Sequence, residues 1–388
     1  MADSALSRSA SLLPTGKAAV RLVAGTASLA AGGWLLRALH DAPASLGAGP
    51  NAVRGVADRS PNYRDGVFHN LDSASMLRLD SLDDEATRQV LFEMLSRRSP
   101  GRPGAVIPLA DSPVITQAAP LAVTWFGHST ALVEIDGFRV LTDPIWSDRC
   151  SPSRTLGPQR LHPSPVPLEA LPALDAVLIS HDHYDHLDMD TVLALARSQR
   201  APFVVPLGVG AHLRDWGIPA SRVIELDWVE QTQIGELALV CTPARHFSGR
   251  FVVRNTTLWA SWVLVGPRHR AYFGGDTGYS KSFEKIGADH GPFDLSLMPI
   301  GAYNTAWRDI HMNPEDAVRA HRDIADAGLL VPIHWCTFRL APHPWAEPVE
   351  RLLTAAESAS VELAVPKPGG RVVPGEPGPS AIDSWWRL

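Results

Sequence analysis

Cysteine is scarce in this chain. Its 388 residues include three, Cys150, Cys241 and Cys336, odd in number and far apart. That spacing excludes a disulfide framework, and the lack of any Cys-x-x-Cys pair argues against a thiolate zinc site. The three thiols read as buried packing groups. A basic surplus is missing too: 35 Lys and Arg face 41 Asp and Glu, for a net charge of −6. A protein whose main partner is nucleic acid needs a net basic face, so no nucleic-acid partner is expected. With 45% hydrophobic and 20% charged residues, the composition is globular and not disordered. A chain of this length buries a core without a metal or disulfide staple.

Long apolar runs are also absent. The uncharged stretch from Leu22 to Leu36 has 15 residues, against about 20 for a comfortable membrane span. Arg8, Lys17 and Arg21 precede it, Arg37 closes it, and Ala42-Pro43-Ala44 follows. A signal peptide, a loosely inserted membrane anchor and a plain N-terminal extension all match that pattern. The remainder is expected in the cytoplasm or peripheral to the membrane.

What is present begins with texture. Residues 41–62 are rich in Ala, Gly, Pro and Asp and read as a linker. Asp84 to Arg98 has apolar residues on one helical face. Residues 99–120 carry five Pro and two Gly and read as a wrapping arm. From residue 121 short β-rich runs follow one another: 121–126, 131–135, 138–142, 176–180, 203–206, 222–226, 237–242, 257–265, 271–275, 295–300 and 329–335. Several are almost wholly apolar, as strands buried on both faces are. Helices are expected at 189–199, 314–327 and 348–358. Asn313-Pro314-Glu315-Asp316 supplies a cap, a first-turn Pro and first-turn acids. The pattern predicts layered α/β architecture, with sheets inside and helices outside.

The chemistry is concentrated in Ser180-His181-Asp182-His183-Tyr184-Asp185-His186-Leu187-Asp188, between an apolar strand and a helix. On extended backbone, positions i and i+2 point the same way. His181 and His183 can therefore grip one ion, while Asp185 and His186 face a second as the chain turns. Imidazole with carboxylate suits zinc, and also iron or manganese. Four ligands do not complete two shells. Three later segments each end an apolar run: Thr242 to His246, Gly274 to Gly278, and Pro332 to Trp335.

Together these segments resemble the metallo-β-lactamase superfamily of hydrolases over about residues 121–365. The resemblance implies a four-layer αββα sandwich. It also implies a first metal on His181, His183 and His246, a second on Asp185, His186 and His334, and Asp276 bridging both. Two Zn²⁺ ions are the expected cofactors. They would move the net charge of −6 to about −2 and lower the pKa of bound water towards roughly 7.

Further segments narrow the resemblance: Trp125 to Thr130, Leu141 to Ser147, Gly157 to Arg160, Thr242 to Arg250, His311 to Ala317, and Ser60-Pro61-Asn62 to Asn70. They look like the N-acylphosphatidylethanolamine-hydrolysing phospholipase D branch, over about residues 55–365. The implied layout is an extension with linker (1–54, anchor or export segment about 22–36), an arm (55–120), a catalytic domain (121–365) and a tail (366–388).

The implied reaction is phosphodiester hydrolysis of a phospholipid by a metal-bridging hydroxide. Asp185 and His311 are the catalytic candidates, with His311 either protonating the leaving alkoxide or binding a phosphate oxygen. His128 can orient a ligand or the substrate. Asp143 can orient a ligand His or cap the turn before Pro144. Arg245 and Arg250 can contact a phosphate or pair with an acid. Asp188 is expected to cap the next helix, and Trp146 and Trp307 can line an apolar substrate groove. Hydrolysis of a carboxylic ester, lactone or β-lactam by the same centre, and a non-catalytic metal-binding scaffold, are the competing functions.

Overall fold

The computed structural model describes residues 42–74, 101–111, 118–250, 253–325, 328–376 and 383–388, with single positions 33, 40, 88 and 92. Apart from single positions, the apolar run 22–36 and the expected helix 84–98 lie outside the described residues. Among the described residues no helix is long and apolar enough to cross a membrane.

A hairpin of β1 (Tyr63–Arg64) and β2 (Val67–Phe68) precedes the main sheets. The first sheet comprises β3 (Leu121–Gly127), β4 (Thr130–Ile135), β5 (Phe138–Thr142), β6 (Ala176–Leu178), β7 (Phe203–Pro206) and β8 (Val223–Leu226) in sequential order, with β15 (Arg371–Val372) outside β3. β15, β3, β4 and β5 pair antiparallel, whereas β5 to β8 run parallel. The second sheet runs from β9 (Gln231–Ile234) through β10 (Leu237–Thr242), β11 (Ser261–Val265), β12 (Arg270–Phe273) and β13 (Leu295–Pro299) to β14 (Leu329–Ile333). It too is mixed, antiparallel from β9 to β12 and parallel from β12 to β14.

Side chains alternate between the two faces of a strand, and both faces here are buried. Leu121, Val123, Trp125, Val133, Val140 and Leu178 of the first sheet meet Leu239, Val240, Trp262 and Phe273 of the second in a central core. The intervening Phe126, Leu132, Leu141, Val177 and Phe203 turn outward, onto Val192, Leu195, Val209 and Leu213. Those four lie on or at α3 (Met189–Ser198) and α4 (Val209–Asp215). On the far side α5 (Ser282–His290), α6 (Pro314–Ala325) and α7 (Glu347–Ala359) cover the second sheet through Phe283, Ile286, Val318, Ile324, Val349 and Leu352. Each such side chain contributes about 1.5–3 kcal/mol when taken out of water. The result is the four-layer αββα sandwich that the family resemblance implies.

Three segments differ from expectation. Residues 41–62 are not a plain linker: they carry α1 (Ala42–Leu46) and α2 (Pro50–Ala57), and Val53 and Ala57 are buried in the central core. The run 257–265 is a strand only from Ser261. Before it, Leu258 N–H bonds Leu207 O and Ala260 N–H bonds Ser180 O, so this backbone bonds to loops and not to a ladder. Past residue 365, β15 pairs with β3, and Trp385 and Trp386 are buried.

Candidate metal centre

The two sheets bring their like-directed strand ends to one rim. β3, β5 and β6 share one direction, as do β10, β12, β13 and β14. His128 follows β3, Asp143 follows β5 and the 180–186 segment follows β6. His246 lies beyond β10, Asp276 beyond β12, His311 beyond β13, and His334 directly after β14. Open α/β sheets place ligands outside such carboxyl ends.

Three imidazoles converge first. His181 Nε2 is 2.8 Å from His183 Nδ1, and His246 Nε2 is 3.3 Å from the same atom. Asp276 Oδ2 lies 3.2 Å from His186 Nε2, 3.0 Å from His334 Nε2 and 3.8 Å from His246 Nε2. Asp185 Oδ2 is 3.4 Å from His186 Nε2 and 3.3 Å from His334 Nε2. The seven residues named from the sequence are thus brought together, with Asp276 between the two groups.

A glycine makes this approach feasible. Gly275 has φ +56°, and a Cβ there would sit 2.6 Å from the Ser180 Cβ. Any side chain at 275 would push Asp276 away from the histidine segment.

Surrounding hydrogen bonds decide which nitrogen each ring presents. Asp143 Oδ2 accepts from His186 Nδ1 at 2.6 Å and from the Ser180 hydroxyl at 2.6 Å, while Oδ1 accepts from Ser180 N at 2.7 Å. The Ser180 oxygen then accepts from His181 Nδ1 at 2.9 Å. His246 Nδ1 donates to Ile310 O at 2.9 Å. Each ring so held carries a proton on Nδ1 and turns Nε2 into the centre.

Whether a cation fits is tested by the orphaned atoms. His186 Nε2 and Asp276 Oδ1 are buried without a hydrogen-bond partner. Burying an unpaired imidazole nitrogen and carboxylate oxygen is costly, and a cation between them would remove both costs. The donor set is imidazole and carboxylate without thiolate, which suits zinc, iron or manganese. Burial together with neighbouring rings holds His181 and His246 well below the usual imidazole pKa, so they are neutral and ready to ligate. His334 is opposite: burial alone would lower its pKa, but Asp276 and Asp185 outweigh that and push it up to about 9.

The other candidates take distinct places. His128, buried with φ +52°, has Nε2 2.8 Å from Asp185 Oδ2. It donates there to the carboxylate and so orients Asp185. Its carbonyl also accepts from His334 N–H at 2.9 Å. His311 Nδ1 lies 3.9 Å from Asp276 Oδ2 and has no hydrogen-bond partner. Burial brings its pKa down to about 4, so it meets a substrate neutral, as a hydrogen-bond donor and not as a ready acid.

Arg245 stands at the rim, already paired with Asp309 at 3.0 Å and donating to Ser73 O and Tyr279 O. Arg250 departs from the expected phosphate contact. Its guanidinium is buried behind the motif and donates to Ser45 O, Asp182 O and Leu187 O, with Tyr184 and Trp216 rings 4.1 and 5.1 Å away. Asp188 sits at the N-cap of α3, but its carboxylate bonds Ser147 N and the Thr191 hydroxyl instead of a helix N–H. Trp146 and Trp307 donate to Val166 O and Ala302 O and pack into side clusters, not a substrate groove.

Sequence reasoning missed two supports. Asn70 accepts from His246 N at 3.1 Å and donates to His246 O at 2.8 Å, bracketing that ligand's backbone. His212 Nδ1 accepts from Ala48 N at 3.0 Å, which leaves Nε2 to donate to Asp182, 3.3 Å away. Nothing near His212 in the sequence signals this. Asn70 stands in a segment noted for its resemblance, and that was its only signal.

Comparison with known proteins agrees with this geometry. The model of the β-lactamase superfamily domain matches residues 138–335. An uncharacterized protein of Mycobacterium tuberculosis is 68% identical over 373 residues, covering 95% of this chain and 99% of that one. N-acyl-phosphatidylethanolamine-hydrolyzing phospholipase D 1 of Caenorhabditis elegans is 39% identical over 245 residues, 60% of this chain and 68% of that protein. The solved structure of a metallo hydrolase from the archaeon Ignicoccus hospitalis superposes with TM-score 0.50 at 24% identity, covering 65% of this chain and 97% of that one. The chain belongs to the β-lactamase superfamily, as a metal-dependent hydrolase with the metallo-β-lactamase fold.

Proposed function

We propose that this hydrolase is a dinuclear zinc phosphodiesterase of the phospholipase D type, acting on N-acylphosphatidylethanolamine-like phospholipids. The observation that carries the proposal is the convergence of five imidazoles and two carboxylates on one rim, with His311 beside Asp276. The relative of Caenorhabditis elegans supports the choice of substrate.

Asp276 stands within reach of both donor groups, and His181, His183 and His246 would hold one ion while Asp185, His186 and His334 hold the other. When bound, such ions supply Lewis acidity and a water of lowered pKa. The chain's residues do the rest. Asp143, Ser180 and Ile310 O fix the ring tautomers, and His128 aims Asp185. Neutral His311 presents an N–H to a phosphate oxygen or to the departing alcohol oxygen.

Hydrolysis in ¹⁸O-labelled water tests the assignment. Zinc-loaded protein with N-acylphosphatidylethanolamine should release N-acylethanolamine and place the label in phosphatidic acid. Release of labelled fatty acid, or cleavage of carboxylic esters, lactones or β-lactams in preference to the phosphodiester, would contradict it.

A further inference from the structure

A cavity of about 680 Å³ opens beside His311, and the same residue reaches the metal centre through its 3.9 Å approach to Asp276. Its walls are polar: tyrosine, asparagine, threonine, arginine and acid side chains, with Pro342 the one aliphatic lining residue. Most of its charges are spoken for. Arg245 is paired with Asp309, Arg351 with Glu315, and Glu347 accepts from the Tyr303 hydroxyl. Two are not. Among the described residues, neither the exposed Arg308 nor the half-buried Asp316 carboxylate makes a hydrogen bond or ion pair.

An alkyl chain entering such a space would strip water from polar groups and return nothing. A head group with its own donors and acceptors would replace that water. Sites that hold polar groups discriminate most strongly against analogues that lack them, because the wall is then left unpaired. The apolar groove elsewhere on the molecule is no alternative. Its apolar lining includes Leu329, Leu363, Val365 and Trp385. Leu329 begins β14 whereas His334 follows its end, which separates groove and centre by roughly 16 Å of strand.

We propose that this cavity receives the polar part of the alcohol half next to phosphorus, with any acyl tail lying outside it, and that Arg308 and Asp316 select there for hydroxyl, amine or amide groups within a few atoms of phosphorus. The inference rests on the phosphodiesterase reading and adds the part of the substrate that is recognised. Arg308 would donate to a carbonyl or hydroxyl oxygen, and Asp316 would accept from an N–H or O–H.

The test uses the full chain, zinc-loaded, and two phosphatidyl esters identical except for the head. One carries N-acetylethanolamine and the other its alkyl counterpart, n-pentanol. Wild type should prefer the amide head at least 10-fold in kcat/KM. Arg308→Ala and Asp316→Asn should each cut that preference to under 3-fold while retaining wild-type metal content. Equal turnover of both esters by wild type, or an unchanged preference in both variants, would overturn the proposal. If wild type cleaves neither ester nor a generic aryl phosphodiester, it is the phosphodiesterase reading that fails. The cavity is then judged by calorimetry with glycerophospho-N-acetylethanolamine. Arg308→Ala should weaken that binding at least 5-fold, and equal affinity would count against the cavity itself.

Discussion

Nδ1 of His186 lies 2.6 Å from Oδ2 of Asp143, and both side chains are fully buried. Asp143 also takes both donors of Ser180, so one carboxylate sets the orientation of His186 directly and of His181 through the serine hydroxyl. An amide at 143 keeps the size but offers an N–H where an acceptor is required. Asp143→Asn should therefore lower metal affinity about 10–100-fold, read by competition with a chromogenic chelator. Retention of wild-type affinity would remove Asp143 from the site's support.

Metal uptake should release protons. In the metal-free protein His334 holds its proton up to about pH 9, because Asp276 and Asp185 outweigh the effect of burial. A ligand must be deprotonated to bind. Apparent metal affinity should thus rise from pH 6 to pH 9. Calorimetry at pH 7 in buffers of different ionisation enthalpy should show proton release, and a buffer-independent heat would contradict this.

Arg250 is predicted to matter through packing. Its removal leaves the carbonyls of Ser45, Asp182 and Leu187 without their donor, at a cost of about 3 kcal/mol or more. Arg250→Ala should lower denaturant stability by that amount and loosen the histidine segment. Arg250→Lys should recover only part of it, since an ammonium cannot reproduce the planar fork between Tyr184 and Trp216. Full recovery by lysine would show that charge alone suffices.

These supports mark where sequence reading stopped. The strands were legible because both faces are apolar, as at Leu121 to Gly127 and Leu237 to Thr242. The histidine segment was legible because i and i+2 spacing after a strand has a direct geometric meaning. His246, Asp276 and His334 were legible only as strand-end residues joined by a family resemblance. Arg250 and His212 were not, because their partners Ser45, Asp182 and Ala48 come from distant segments that only the folded chain brings near. The helices at 42–57 escaped because Ala, Gly and Pro mark turns as readily as a short helix that packs by Val53 and Ala57. β9 escaped because Gln231–Ile234 is a polar edge strand.

Acid stability should report on Asp136. This buried carboxylate in the β4–β5 turn accepts from Arg268 N at 2.7 Å, His269 N at 2.9 Å and His269 Nδ1 at 2.7 Å. Burial alone would raise its pKa, but these donors prevail and hold it below the usual carboxylate range. Its contribution is therefore complete above the unfolded pKa of about 3.9 and is lost as pH falls through the lower folded value. Asp136→Asn should cost about 1–3 kcal/mol at pH 7 in urea unfolding, with the gap from wild type closing as pH falls below about 4. A gap of constant size down to pH 2 would show that the carboxylate's ionisation is not what holds the turn.

The central claim is that His183 and Asp185 belong to a metal centre that performs the hydrolysis. Its most direct test is metal content and phosphodiester turnover measured together on wild type, His183→Ala and Asp185→Ala. Wild type should carry about two divalent ions per chain, and each variant should lose bound metal and at least 1,000-fold in kcat/KM. Unchanged metal content and unchanged turnover in both variants would contradict the account.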